Sequence, residues 1–155
     1  MSLPFESTDV PASRSQEAVK NLLYNIGFDA IAEFSDKAGR KIIKAQVGQA
    51  VFVFEASIEK ILGDLRTRKS QTNEEKLQQK ARRMAWRSIH AQVKVLHDCV
   101  KLGSLDIAEA FAGNLVLTDN AGKETKMSDF IKNGMAAGTL TSANMSQQFL
   151  LEERK

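Results

Sequence analysis

The sequence predicts an α+β fold: a small antiparallel sheet of about three strands, packed by an N-terminal helix and one long helix, with a small C-terminal helical and hairpin unit. Three observations carry this. Val19, Leu22, Leu23 and Ile26 recur at helical spacing before Gly27. Three short runs between residues 29 and 55 are separated by Asp36-Lys37-Ala38-Gly39 and by Gly48-Gln49, both turn-forming. A stretch of about thirty residues following Thr72 keeps a 3.6-residue apolar period up to Gly103, well beyond an average globular helix.

Residues 1–12 hold both prolines, Pro4 and Pro11, with little apolar periodicity, and read as a flexible arm. A single domain spans 13–138. Ser13 or Ser15 is placed to cap its first helix, and Gly27 to end it. Strands follow at Asp29–Ser35, Arg40–Val47 and Ala50–Glu55. In the last of these Val51 and Val53 point to one face, Phe52 and Phe54 to the other. Both faces then need cover, one from the first helix and the other from a second helix or a second subunit.

Ser57 opens a short helix, Ile58–Leu65, and Arg66–Gln71 reads as a polar linker. Thr72 with Glu75 has the form of a capping box, opening a long helix over about 73–102. Leu105–Phe111 is a short helix whose Asp106 and Glu109 serve its start as cap or dipole partners. Leu115–Thr118 is a strand, Asp119–Lys123 a glycine-containing turn, and Ser128–Ala137 a helix ended by Gly138. Residues 139–155 form a C-terminal tail, polar until Phe149, Leu150 and Leu151. Phe52, Phe54, Leu22, Ile26, Ile89, Val93 and Leu96 are the expected core.

With 155 residues, 43% hydrophobic and 26% charged, the composition is that of a globular domain. A single cysteine, Cys99, excludes an internal disulfide framework. No basic start followed by an apolar run marks a secretory signal, and no apolar run is long enough to span a bilayer. The expected location is the cytoplasm, without membrane attachment.

The net charge is only +3, but it is unevenly placed. Between Glu74 and Lys101 seven Lys or Arg face three acidic residues, so the rest of the chain is about neutral. Lys76, Lys80, Arg83, Arg87, His90, Lys94, His97 and Lys101 follow alternating steps of four and three. They therefore share roughly a third of the helix circumference. Leu77, Ala81, Met84, Ala85, Ile89, Val93, Val95, Leu96 and Val100 fill the opposite side. Like charges at this spacing repel, and a polyanion relieves them by giving each cation a phosphate. Trp86 lies at the border of the stripe, where its indole either stacks on an unpaired base or packs in the core.

A stripe of this kind has three readings: a solvated helix face, a nucleic-acid contact, or a dock for an acidic protein. The binding residues under the last two are Lys76, Lys80, Arg83, Trp86, Arg87, His90 and Lys94. No catalytic or metal site and no cofactor is expected. The sequence has no P-loop, GxGxxG, GxSxG, HExxH or CxxC, and His90 and His97 are two turns, about 10 Å, apart.

From Ala85-Trp86-Arg87 through Gly103, then Glu109-Ala110-Phe111, Val116 and the turn at Gly122, the chain resembles small uncharacterised proteins of bacteriophages and prophages. The resemblance implies a phage or mobile-element origin, hence the host cell cytoplasm, and points to no particular catalytic activity; an enzyme of unrecognised type stays open. The expectation is a non-enzymatic accessory protein that binds nucleic acid through the basic helix face. The alternative is a protein-interaction module, an inhibitor or adaptor of a host complex, using that face on an acidic partner. A homodimer or higher oligomer is expected, because the sheet is apolar on both faces.

Overall fold

A computed structural model describes residues 2–68 and 73–139. Ser15, Val19 and Leu23, four residues apart, line one buried side of helix α1 (Ala12–Ile26). Gly27 ends it at φ +113°, and the N–H groups of Gly27 and Phe28 bond to Tyr24 O and Leu23 O. The start differs from expectation. Pro11 holds the N-cap position without a side-chain bond, and Ser15 lies a full turn inside the helix on the core side. Its Oγ is buried without a hydrogen-bond partner among the described residues.

Strands β1 (Ala30–Ser35), β2 (Lys41–Val47) and β3 (Ala50–Glu55) form an antiparallel sheet in the order β1-β2-β3. Ile43 pairs with Phe54 and Ala45 with Phe52. These four side chains are buried and pack against Val19 and Leu23 from α1 and against Trp86 and Val93. The outer face carries Val51, Val53 and Phe34, of which Val53 is buried and Phe34 half exposed.

Helix α2 (Glu59–Arg68) continues three residues into the segment expected as linker. Its Leu62 and Leu65 join Leu77, Ala81 and Met84 of helix α3 (Glu74–Lys101) in a second core, which Leu3, Ile58 and Ile61 extend. Thr72 lies outside the described residues. Asn73 caps α3 instead, its side chain accepting the Glu75 N–H at 2.8 Å. Helices α1 and α3 run side by side in the same direction. Ala12 and Gln16 line a small cleft with Arg82 and Trp86, and at the other end Asn25 meets His97 at 2.7 Å. The long helix is thus held by α2 along its first half and by α1 and the sheet along the rest.

After Gly103, at φ +75°, helix α4 (Ile107–Phe111) opens with a complete capping box: Glu109 N–H to Asp106 and Asp106 N–H to Glu109. Phe111 is fully buried, edge-on to Phe28 at 5.8 Å and to Phe54 at 5.6 Å. It anchors the hairpin of β4 (Val116–Thr118) and β5 (Glu124–Lys126) beside β3, where Leu115 bridges Phe52. There Asn114 donates to Val53 O at 3.0 Å, and Lys44 pairs with Glu124 at 3.1 Å. The hairpin, not a helix, therefore covers part of the second sheet face. Helix α5 (Met127–Ala136) follows with no buried residue.

Of the expected core, Phe52, Phe54 and Val93 are buried, while Leu22, Ile26, Ile89 and Leu96 are half-buried at its margin. Residues 140–155, with Phe149, Leu150 and Leu151, lie outside the described residues. Among the described residues, no helix is long and apolar enough to cross a membrane.

Candidate nucleic-acid interface

The flank of α3 away from both cores carries the basic residues in the predicted order, but they are not equivalent. Lys76 is exposed, and Arg83 and Arg87 are half-buried. None of the three has a carboxylate within ion-pair distance among the described residues. Lys76 and Arg87 are eleven steps apart, about 16 Å along the helix. Arg83 Nε is buried and makes no hydrogen bond among the described residues, which is uncommon for a charged donor.

Two stripe lysines are already engaged. Lys94 bonds both oxygens of Asp98 at 2.8 Å, one helical turn on. Lys80 lies 3.5 Å from Glu6, a residue of the segment before α1. The i, i+4 pair was legible in the sequence, whereas the pairing with Glu6 bridges 74 positions and has no local signal.

Arg87 donates to His90 Nδ1 at 3.2 Å. That ring nitrogen must then lack a proton, which describes a neutral imidazole. Partial burial, with Arg87 and Lys94 nearby, pushes the His90 pKa below its ordinary 6.5 in the same direction. His90 therefore adds no charge at neutral pH. His97 turns inward, between Asn25 and Asp98.

Of the two expectations for Trp86, packing in the core is the one its burial supports. The residue is 2% exposed and belongs to the core with Phe52 and Val93. Trp86 sits about 100° round from Arg87, on the side that α1 and the sheet cover, so its indole is unavailable for stacking on a base. Val95 departs from expectation. The periodicity puts it on the apolar side, yet it is 62% exposed, because α2 covers only the first half of α3.

The continuous stripe of the sequence thus becomes Lys76, Arg83 and Arg87, interrupted by Lys80 on Glu6 and followed by Lys94 on Asp98. Arg68 at the end of α2, absent from the predicted set, approaches the same Glu6 at 3.6 Å. Among the described residues, no group of three or more His, Cys, Asp or Glu side chains is placed to hold a metal ion. No family model, no curated protein sequence and no solved structure matches the chain.

Proposed function

We propose that this protein is a non-enzymatic accessory factor, of phage or mobile-element origin, that binds the backbone of nucleic acid through the outer flank of α3. The supporting observation is the set of Lys76, Arg83 and Arg87, three cations on one helix flank without carboxylate partners among the described residues. A phosphate gives the Arg83 and Arg87 guanidinium groups the anionic partner that the described residues do not. With Trp86 in the core, no aromatic platform accompanies the cations. The recognition is electrostatic and indifferent to base sequence.

Fluorescence anisotropy with labelled oligo-thymidylate and with a random duplex tests this. Binding is expected at low salt. With three cations engaged, the slope of log affinity against log salt should be no steeper than roughly −2 on single strands and −3 on duplex. Arg83→Glu with Arg87→Glu should weaken both probes equally while leaving the fold intact. No binding of either probe by the wild-type protein at low salt overturns the reading.

One observation favours the alternative of an acidic protein partner. Val95 in the C-terminal half of the same helix and Leu102 at its C-cap, 62% and 85% exposed, offer apolar area that a phosphate backbone does not use. A protein interface does use such residues. Co-purification of one discrete polypeptide after nuclease treatment, lost on Val95→Asp, supports that second reading.

A further inference from the structure

We propose that Arg68 and Lys80 form a further phosphate-binding fork, which the chain's own Glu6 occupies as an anionic plug. This rests on the nucleic-acid reading above and adds to it a residue from α2 and an internal competitor.

The geometry supports displacement. Arg68 ends α2 and Lys80 lies in the second turn of α3, so the fork bridges the two helices next to the Lys76–Arg83 flank. Glu6 presents one carboxylate oxygen to each cation, at 3.6 Å to Arg68 and 3.5 Å to Lys80. Both separations exceed a hydrogen bond of roughly 3.2 Å. A phosphate, with more oxygens than a carboxylate, can contact both cations more closely. The Glu6 side chain is 17% exposed, so it fills the fork in place of water.

The plug sits in a strained turn. Phe5 has φ +59°, the one non-glycine residue with positive φ among the described residues. It immediately precedes Glu6, whose carboxylate also accepts the Leu3 N–H at 2.9 Å. Moving the turn away relieves Phe5, which offsets part of the lost pairing. An open cleft of about 530 Å³ lined by Leu3, Phe5, Glu6 and Lys80 leaves room for a phosphate beside Lys80. The Leu3 N–H, followed by Lys80 and Arg68, holds the Glu6 carboxyl below its ordinary 4.5, so the plug is anionic at neutral pH.

Glu6→Gln tests the plug, since glutamine keeps the length and can still accept the Leu3 N–H. Oligo-thymidylate should bind the variant about three- to tenfold more tightly than wild type. Arg68→Gln should cost more affinity in the Glu6→Gln background than in the wild type. Equal affinity of wild type and Glu6→Gln overturns the plug and leaves the α3 reading standing; no binding by either overturns both. A measurement on the unaltered protein guards against a folding defect. Bound oligo-thymidylate should speed chymotryptic cleavage after Phe5, and an unchanged or slower rate counts against the plug.

Discussion

Trp86→Ala separates a core indole from a base-stacking one, and the structure sets the size of the effect. A Trp side chain buries about 150–250 Å², and Trp86 is almost wholly withdrawn from water. At about 25 cal/mol per Å² that area corresponds to about 4–6 kcal/mol, an upper bound because the unfolded chain already hides some of it. Large-to-small aromatic substitutions in cores cost about 3–5 kcal/mol. For a chain of this size each kcal/mol lowers Tm by about 2–4 °C, so the variant should melt about 6–20 °C earlier. As the one tryptophan in the sequence, Trp86 also reports directly. Its emission should be blue-shifted and resist acrylamide until the chain unfolds. Oligo-thymidylate affinity below the melting transition should change little, since the indole reaches no ligand. A Tm within about 2 °C of wild type, together with a loss of single-strand affinity of about 1–3 kcal/mol, the usual contribution of a stacked base, would refute the reasoning.

Phe111→Ala should cost a similar amount, about 3–5 kcal/mol, and should loosen the β4–β5 hairpin ahead of global melting. Amide exchange measures both, and uniform protection across the hairpin in the variant would show that Phe111 is not its anchor. Glu33 supplies a pH signature. Hydrogen bonds from Lys41 and then Lys20 hold its carboxyl below the ordinary 4.5. The folded protein therefore releases this proton more readily than the unfolded chain. The resulting stability is present above the ordinary glutamate range and is lost as pH falls through the lowered value. Glu33→Gln should flatten the acid limb of stability against pH, measured by urea melts. An acid limb as steep as that of wild type would remove Glu33 as its source.

Local chemistry carried much of this protein's fold by itself. Gly27, Gly103 and Gly138 each take positive φ where a helix stops, because only a residue without Cβ adopts that conformation cheaply. Asp106 and Glu109 form their box from a spacing visible in four residues. The alternation of Val51, Phe52, Val53 and Phe54 specified the two faces of β3, since a strand has no other way to place neighbours. The order of the basic residues around α3 was equally legible, because 100° per residue is fixed by the helix.

Which part of that helix surface meets solvent was decided only by the tertiary structure. The periodicity of α3 defines a cylinder, but α2, α1 and the sheet each cover a different arc along its length. Trp86 falls under one of these covers. Val95 lies beyond the end of α2, so a side chain that looks like core is exposed. The pairing of Lys80 and Arg68 with Glu6 likewise arises from contacts distant in sequence, which no local pattern encodes. Sequence periodicity reports which side chains share a face of an element; burial and charge neutralisation depend on what packs against that face, and that is a property of the whole fold.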